Sequence, residues 1–317
     1  MKRYLVWLGV FLYMASNAQH KVSEMSGAWT DTEREREIPY RIVYPTDLSG
    51  PTPLTLFSHG LGGDTQSMSY LSQFLAKQGY VCVHLQHPGS DASLWGGITK
   101  ANEIREKLRN SLNDPTNALN RFEDVPFALD QCEDLTRTFP DTPFQIDWDR
   151  VAIIGHSYGA ISVLTAAGQA LGRFGNRFKD DRIKAAIALS PSQPRRHNAS
   201  TYAQVDIPIL HITGTADGNP VQNKANFDPK SRRFPFDQIK AKGQHLIIFD
   251  QAVHATFSGN SRAQFQDKFL DEHLEAVKQS ALAFLSFYLN QEDGANSELL
   301  AKQLTKFLTD KDLNEWH

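Results

Sequence analysis

The chain has 317 residues, of which 40% are hydrophobic and 22% charged, and its net charge at pH 7 is −3. This composition is typical of a globular protein and excludes disordered, collagen-like and coiled-coil classes. The balanced charge without a polybasic block gives no indication of a nucleic-acid partner or of an anionic membrane surface. Two cysteines are too few for a disulfide scaffold or a cysteine-rich zinc module.

The first predicted element is a secretory signal peptide over residues 1–18. Lys2 and Arg3 precede an apolar run over residues 4–14, and small residues then stand at positions 16 and 18, as at a signal-peptidase site. A membrane anchor is the alternative, but the run is shorter than the ~20 residues that a spanning helix requires. We therefore expect an exported protein, periplasmic or secreted, without stable membrane insertion. Its mature chain, residues 19–317, is expected to be a single domain.

The rest of the chain alternates predicted strands and helices. An antiparallel hairpin or edge strands are expected over residues 29–44, where apolar and polar residues alternate around Pro39. Short apolar runs predict strands over 54–58, 80–85, 151–155, 183–189, 209–213 and 246–249. Helical spacing predicts helices over 66–78, 104–112, 121–139, 160–171, 262–289 and 297–308. This alternation predicts an α/β fold with a mostly parallel central sheet and helices on both faces.

The two cysteines both fall at apolar positions of predicted elements. Cys82 lies in the apolar strand over 80–85, and Cys132 recurs with apolar residues at helical spacing. We expect two buried thiols, although an exported protein could also form a disulfide between them. Neither thiol has sequence neighbours that lower a cysteine pKa, so neither is expected to be a nucleophile.

A candidate nucleophile follows the strand over 151–155. The sequence Gly155-His156-Ser157-Tyr158-Gly159 stands between that strand and an Ala-rich helix. This is the context of a nucleophile elbow, a sharp turn that presents the serine hydroxyl at the carboxyl end of the strand. The N-terminus of the helix also favours negative charge near Ser157. A glycine-rich turn with an inert serine is the alternative.

The glycine-rich segment His59-Gly60-Leu61-Gly62-Gly63 follows the strand over 54–58. A loop at this place directs a backbone N–H at the oxygen of a reacting carbonyl group, and the residue after the nucleophile provides a second N–H. We therefore predict an oxyanion hole formed by the backbone N–H groups of Leu61 and Tyr158. A turn that only connects strand and helix is the alternative.

A serine nucleophile requires a base, and the base requires an acid that orients it. In this type of fold the acid and then the histidine follow the serine along the chain. Asp217 follows the strand over 209–213 and His254 follows the strand over 246–249, both at the edge expected for Ser157. Of the 11 histidines, His254 alone satisfies both the order and the edge. Asp250 is a second candidate acid, and turn or loop roles remain the alternatives for Asp217 and His254.

Five segments together resemble a known family. In chain order they are SHGLGG, HPGSD at 87–91, GHSYGA, GTAD and VHATF. This combination resembles the bacterial α/β-hydrolases related to platelet-activating-factor acetylhydrolase and to predicted dienelactone hydrolases. The resemblance covers residues 29–300 and implies an α/β-hydrolase fold, serine-hydrolase chemistry and no metal or other cofactor.

Two departures from the family pattern affect the expected activity. Residues 188–192, where the mammalian acetylhydrolases carry their acid, contain no carboxylate, so the acid is expected at Asp217. Dienelactone hydrolases use a cysteine where this chain has Ser157. Both differences favour a general esterase that acts on small or polymeric carboxylic esters, with short to medium acyl groups preferred. A lipase or polyester hydrolase, a peptidase or amidase, and a non-catalytic binding protein on the same fold remain the alternatives.

Other residues near the expected site are candidates for its walls. Trp95 and Phe257 are predicted to line the substrate pocket because both closely follow segments at the catalytic edge. The HPGSD segment fits a pocket wall and a structural turn capped by Asp91 equally well. The polar residues 102–120 are a candidate cap over the site. The sequence does not indicate the oligomeric state or the natural substrate.

Overall fold

The computed structural model describes residues 19–98, 100–139, 141–194, 197–218, 227–259, 263–290 and 297–317. The predicted signal peptide over residues 1–18 lies outside the described residues. The described strands form one sheet made of β1 (Val22–Asp31), β2 (Arg36–Pro45), β3 (Pro51–Ser58), β4 (Val81–Leu85), β5 (Gln145–His156), β6 (Ile183–Leu189), β7 (Ile209–Ala216), β8 (Gln244–Val253) and β9 (Leu313–Trp316).

The sheet has the order β1-β2-β4-β3-β5-β6-β7-β8-β9. All pairings from β4 through β8 are parallel. The β1–β2, β2–β4 and β8–β9 pairings are antiparallel and lie toward the two sides of the sheet. The predicted α/β architecture and the predicted hairpin, seen here as β1 and β2, are therefore confirmed. The short strand β9 was not predicted, because its four residues, Leu-Asn-Glu-Trp, contain no apolar run.

The described helices cover both faces of the sheet. They are α1 (Ser69–Lys77), α2 (Ala101–Asn113), α3 (Pro115–Thr138), α4 (Tyr158–Ala166), α5 (Phe234–Gln238), α6 (Ala263–Gln266), α7 (Leu270–Leu289) and α8 (Ser297–Thr305). Apolar side chains of α3 and α4 belong to the core on one face, and those of α1, α7 and α8 to the core on the other. Among the described residues, no helix is both long and apolar enough to cross a bilayer.

The parallel strands β3, β4, β5, β6 and β7 each contribute side chains to both cores. In β5, Val151 and Ile153 face one core, while Ala152 and Ile154 face the other. Such strands are buried on both faces, which explains why their sequences are continuous apolar runs. Burial of each large aliphatic side chain contributes roughly 1.5–3 kcal/mol to the free energy of unfolding.

Cys82 and Cys132 are both buried and unbonded, as predicted. Cys82 lies on β4 and Cys132 on α3, within different cores. Burial raises the pKa of the Cys132 thiol to about 12 and raises that of Cys82 further. Both side chains therefore act as small apolar residues.

The parallel arrangement determines where the candidate site lies. Strands β3, β4, β5, β7 and β8 all run in the same direction, so their carboxyl ends meet at one edge of the sheet. The loop after β3, the HPGSD segment after β4, the elbow after β5, Asp217 after β7 and His254 after β8 are thereby brought to that edge. This is the edge at which open α/β sheets form their binding sites.

Candidate active site

Ser157 occupies a strained turn between β5 and α4. Its backbone angles are φ 57° and ψ −110°, a combination that a residue with a side chain rarely adopts. Such backbone strain costs on the order of 1–3 kcal/mol and persists only where the surrounding structure holds it. One restraint is the hydrogen bond from the Ser157 N–H to the Leu189 carbonyl oxygen, at 2.9 Å. The turn leaves the serine side chain partly exposed at the start of α4.

The glycines of the elbow allow close contact between backbones. A Cβ atom on Gly159 would lie 1.8 Å from the Ser58 carbonyl oxygen, at the end of β3. A Cβ atom on Gly155 would lie 2.4 Å from the Gly159 carbonyl oxygen. Because either side chain would overlap with backbone atoms, both positions require glycine. The sequence Gly-x-Ser-x-Gly therefore has a steric basis in this structure.

The structure brings Ser157, His254 and Asp217 together in one hydrogen-bonded chain. His254 Nε2 is 2.9 Å from Ser157 Oγ, and His254 Nδ1 is 2.7 Å from Asp217 Oδ1. The Asp217 side chain is fully buried, whereas His254 exposes 14% of its side chain. Asp250, the second candidate acid, accepts hydrogen bonds from Thr215 and Gln251 instead. This geometry suits proton transfer between a hydroxyl and an imidazole that a carboxylate orients.

The Asp217 carboxylate has polar partners on each oxygen. Oδ2 accepts hydrogen bonds from Ser190 Oγ at 2.6 Å and Thr213 Oγ1 at 2.8 Å. Arg232 Nε lies 2.7 Å from Oδ1. Burial raises the pKa of Asp217, but its electrostatic interactions with His254 and Arg232 and its hydrogen bonds from His254 and Ser190 outweigh burial and leave the pKa below the ordinary value. Asp217 is therefore held in its ionised form.

The environment of His254 favours the neutral imidazole. Burial lowers the pKa of His254, Asp217 raises it and Arg232 lowers it, with a net shift below 6.5. His156 donates a hydrogen bond from Nε2 to the His254 carbonyl oxygen at 3.0 Å, and the two ring centres lie 4.8 Å apart. Burial places the pKa of His156 itself well below 6.5, so this neighbour is uncharged.

The loop that carries His254 is held by a buried carboxylate, Asp267. Thr256 Oγ1 donates to Asp267 Oδ2 at 2.5 Å and accepts from the Val253 N–H at 3.1 Å. His273 Nδ1 lies 2.7 Å from the same carboxylate oxygen, and the Phe269 N–H donates to Asp267 Oδ1. Asp267 stands between α6 and α7, where one continuous helix was predicted over 262–289. The helix is interrupted because this carboxylate bonds the backbone at the start of α7 and the loop after β8.

The loop after β3 packs directly against the elbow. A Cβ atom on Gly60 would lie 3.4 Å from Ser157 Cβ, so the two turns are in van der Waals contact. The N–H of Gly62 donates to the Ser90 carbonyl oxygen, and that of Gly63 to the Gly60 carbonyl oxygen. Within the described part of the chain, the backbone N–H groups of Leu61 and Tyr158 have no protein acceptor. These are the two N–H groups that the sequence predicts for an oxyanion hole.

A second serine–histidine–aspartate chain lies behind that loop. Ser58 Oγ is 3.0 Å from His87 Nε2, and His87 Nδ1 is 2.9 Å from Asp124 Oδ2. Arg34 and Arg36 form ion pairs with Asp124 at 2.9 and 3.1 Å. Ser58, His87 and Asp124 each expose at most 1% of their surface. The sequence analysis missed Ser58 and Asp124 because no motif links a strand end to a residue on α3.

Arg121 connects the second chain to the elbow. Its buried guanidinium donates to Ser58 Oγ at 3.1 Å and also to the His59 carbonyl oxygen. It lies 4.7 Å from the centre of the Tyr158 ring, a cation–π contact. The His87 N–H donates to His59 Nε2 at 3.0 Å. Arg121 thus holds the backbone of His59 at the start of the loop after β3, and His87 holds the His59 side chain, which assigns the HPGSD segment a structural part.

The two predicted pocket residues differ in position. Trp95 is half-buried beside the loop after β3, and its Nε1 donates to the Gly62 carbonyl oxygen at 2.6 Å. The indole lies so close that a Cβ atom on Gly62 would fall 2.3 Å from it. Phe257 has 0% of its surface exposed and packs in the core with Phe249. The prediction that Phe257 lines the pocket is therefore wrong, because the turn after His254 directs its ring inward.

The candidate cap over residues 102–120 forms most of α2 and the first turns of α3. Ser111 Oγ donates to the Gly89 carbonyl oxygen at 2.5 Å, which fixes α2 against the HPGSD segment. Asp114 accepts a hydrogen bond from the Thr116 N–H and caps α3. The segment is therefore helical and lies next to the catalytic edge, and its action as a cap stays a prediction. Across the ranges described above, no cluster of three His, Cys, Asp or Glu residues could hold a metal ion.

Comparisons with known proteins agree with this architecture. Residues 55–302 match a family model described as the alpha/beta hydrolase family. Platelet-activating factor acetylhydrolase from Canis lupus familiaris is 25% identical over 231 residues, which cover 65% of this chain and 48% of that protein. The same enzyme from Cavia porcellus is 22% identical over 289 residues, covering 80% of this chain and 61% of that protein. The chain thus spans only about half to three-fifths of the length of these curated relatives.

Solved structures show the same fold. A provisionally assigned dienelactone hydrolase from Klebsiella pneumoniae superposes with a TM-score of 0.59 at 16% identity, covering 84% of this chain and 100% of that one. A ferulic acid esterase from Streptomyces cinnamoneus superposes with a TM-score of 0.57 at 16% identity, covering 90% and 95%. At this identity the likeness shows the fold alone. Together with the family model, which matches most of the chain, these findings confirm the predicted relationship. The chain belongs to the alpha/beta hydrolase family.

Proposed function

We propose that this protein hydrolyses carboxylic esters through an acyl-enzyme on Ser157, with His254 as general base and Asp217 as the acid that orients it. The observation that carries the proposal is the hydrogen-bonded chain from Ser157 Oγ through His254 to the buried Asp217. The elbow also carries the backbone N–H of Tyr158, and the loop packed against it carries that of Leu61; neither N–H has an acceptor among the described residues. The names of the relatives support ester cleavage, since two are acetylhydrolases and one structural neighbour is a ferulic acid esterase.

The first half of the reaction transfers the acyl group to the enzyme. Ser157 Oγ attacks the ester carbonyl carbon while His254 Nε2 accepts the hydroxyl proton. The carbonyl oxygen becomes an oxyanion that accepts hydrogen bonds from the N–H groups of Leu61 and Tyr158. The intermediate then collapses, the bond to the alcohol oxygen breaks, and His254 returns the proton to the departing alkoxide. The ionised Asp217 stabilises the imidazolium that exists between these two proton transfers.

The second half of the reaction releases the acid. A water molecule takes the place of the alcohol and attacks the acyl carbon while His254 Nε2 accepts one of its protons. The bond between the acyl carbon and Ser157 Oγ breaks, and the proton passes from His254 to the serine. A carboxylic acid leaves, and the free enzyme is restored without any cofactor.

We propose short to medium acyl groups as the preferred substrates. The Trp95 indole lies against Gly62 beside the proposed oxyanion hole and limits the space there. The helix that follows, α2, carries five charged side chains in its 13 residues and does not provide the apolar surface of a lipase lid. Each methylene that the pocket cannot hold forfeits about 0.8 kcal/mol of binding free energy. Acyl chains of roughly two to six carbons should therefore react fastest.

Active-site labelling combined with ester kinetics tests the proposal. A fluorophosphonate should modify Ser157, as located by mass spectrometry of the peptides, and Ser157→Ala should abolish both the adduct and the turnover of p-nitrophenyl acetate. An adduct on another residue would overturn the assignment, and a protein that neither labels nor turns over would be a binding protein. A chain-length series of p-nitrophenyl esters separates the esterase from the lipase, because a lipase prefers long chains and an oil–water interface.

We further propose that the protein is exported and that residues 1–18 are removed. The support is the charged start, the apolar run and the small residues at positions 16 and 18. Expression of the full chain in a bacterium, followed by N-terminal sequencing of the protein from periplasm and culture medium, tests this. A mature protein should begin at Gln19, whereas an uncleaved chain in the cytoplasm would contradict export.

A further inference from the structure

Arg232 is a buried arginine that no motif singles out. It exposes 1% of its surface and lies in the 3-10 turn Pro229–Arg233, between β7 and β8. Its Nε donates to the Asp217 carbonyl oxygen at 3.0 Å and lies 2.7 Å from Asp217 Oδ1. Its Nη atoms donate to the carbonyl oxygens of Ser190 at 2.9 Å and Gly218 at 3.0 Å. Burial of a charged group is unfavourable unless it is paired, and the partner of this charge is Asp217.

The local structure holds the guanidinium in this place. Asp228 caps the turn by accepting the Lys230 N–H at 2.9 Å, and Pro229 fixes the first backbone angle. The ring of Phe227 lies 4.9 Å from the guanidinium carbon. The next residue, Arg233, faces the opposite way and pairs with Asp237 and Glu315 near the surface. Two consecutive arginines therefore have different environments, one at the candidate site and one outside it.

Arg232 also contacts the imidazole of His254. Its Nη2 lies 3.0 Å from His254 Nδ1, and Asp217 Oδ1 is 2.7 Å from both Arg232 Nε and His254 Nδ1. An arginine has only donors, so the neutral imidazole that carries its proton on Nδ1 shares the Asp217 carboxylate with it, and Nε2 stays free to accept the Ser157 proton. An imidazolium would instead place a second positive charge beside the guanidinium. The geometry thus favours the neutral ring.

We propose that Arg232 is a positioning residue of this site: its guanidinium holds the Asp217 carboxylate in place, and its positive charge keeps the His254 imidazole in the neutral form that a general base requires. The inference rests on the proposed function. Among the described residues, the charged or titratable groups that face His254 are Asp217 after β7, Arg232 before α5 and His156 in the elbow. His156 is uncharged, so two charges act on the His254 ring. The Asp217 carboxylate favours the imidazolium, and the Arg232 guanidinium favours the neutral imidazole.

The pH dependence of kcat/KM on p-nitrophenyl acetate tests this role. In Arg232→Gln, loss of the positive charge leaves Asp217 to stabilise the imidazolium, so the acidic limb should move to higher pH by about one unit. Arg232→Lys keeps the charge and loses the planar set of donors. The acidic limb of its kcat/KM profile should therefore stay near that of the wild type, while the plateau value of kcat/KM falls roughly tenfold. Arg233→Gln is the matched control, because it removes the same charge one residue away and should leave the limb unchanged.

The outcomes separate positioning from a merely structural role. If Arg232→Gln loses activity without a shift of the limb, or if Arg233→Gln shifts it equally, the inference is overturned. Circular dichroism confirms folding of each variant. Should Arg232→Gln not fold, ¹⁵N NMR of the His254 imidazole in the unmodified protein can still overturn the proposal, since titration above 6.5 contradicts it. This NMR measurement needs no turnover, so it remains valid even if the protein hydrolyses no ester and the proposed function fails.

Discussion

The described residues include two hydrogen-bonded serine–histidine–aspartate chains, on neighbouring parts of the same sheet edge. In one, Ser157, His254 and Asp217 are joined at 2.9 and 2.7 Å. In the other, Ser58, His87 and Asp124 are joined at 3.0 and 2.9 Å. The hydrogen-bond distances are nearly the same, so the residue types and their spacing do not separate a candidate catalytic group from a structural one.

What differs is backbone conformation and access to solvent. Ser157 has a positive φ at the start of a helix and is partly exposed, whereas Ser58 ends a strand and exposes 1% of its surface. Burial and nearby arginines place the pKa of His87 well below 6.5, so it does not take up a proton in the folded protein. The second chain therefore supports the loop after β3, while the first has the exposure that a substrate requires.

The largest contrast is expected between the two serines. Ser157→Ala should lower kcat by about 10⁴-fold or more, because the members of a triad act as a unit. Ser58→Ala should keep kcat within roughly tenfold and lower the free energy of unfolding by about 1–3 kcal/mol, because His87 and Arg121 lose a buried partner. Steady-state kinetics and urea unfolding of both variants check this. Comparable losses of activity in the two would show that the chains do not have separate roles.

The two aspartates should differ in a similar way. Asp217→Asn should reduce kcat by roughly 10³- to 10⁴-fold, because the amide no longer stabilises the imidazolium of His254. Asp124→Asn should leave Arg36 without its carboxylate and Arg34 with Asp31 and Glu123 alone, and should reduce the free energy of unfolding by about 3–5 kcal/mol. The measurements are kcat of the folded fraction and urea unfolding, with Asp250→Asn as a control that changes neither strongly. A greater loss of kcat in Asp250→Asn than in Asp217→Asn would assign the acid to Asp250.

The pH profile should report only one of the two histidines. A general base acts when neutral, and the pKa of His254 lies below 6.5, so kcat/KM should rise with pH through an ionisation below that value and then level off. His87 should contribute no ionisation to the profile. It affects stability instead: the unfolded chain binds a proton near 6.5 that buried His87 does not, so the free energy of unfolding should fall as pH drops below that value. An activity limb above 6.5 would contradict this assignment.

The smallest effect on activity is expected from modification of the two thiols, which lie close in sequence to His87 or on the helix of Asp124. Cys82 is on β4, just before His87, and Cys132 is on α3, which carries Asp124. Burial raises the pKa of both thiols, so neither forms the reactive thiolate at neutral pH. Iodoacetamide should leave activity unchanged and should modify the cysteines only after unfolding, as mass spectrometry of the treated protein would show. Rapid modification of the native protein would mean that this region opens easily.

The sequence alone determined the fold class and the placement of the main candidate site. Ser157, Asp217 and His254 could be chosen because each follows a recognisable apolar strand, and the carboxyl ends of parallel strands meet at one edge. The glycines around Ser157 were informative as well, since close backbone contacts leave room for no other residue at positions 155 and 159. These are local sequence patterns. Their position in the folded protein follows from one rule, that the carboxyl ends of parallel strands lie at the same edge of the sheet.

Only the tertiary structure decided how that site is supported. Arg232, Arg121 and Asp124 look like surface residues in the sequence, because charged side chains are usually exposed. They are buried because partners from other elements satisfy their charges and hydrogen bonds, as Asp217 does for Arg232. Phe257 was misplaced for a related reason: a turn decides whether a ring faces a pocket or the core, and the position of the residue next to a motif does not. Long-range partners of this kind exist only once the chain has folded, so no local pattern records them.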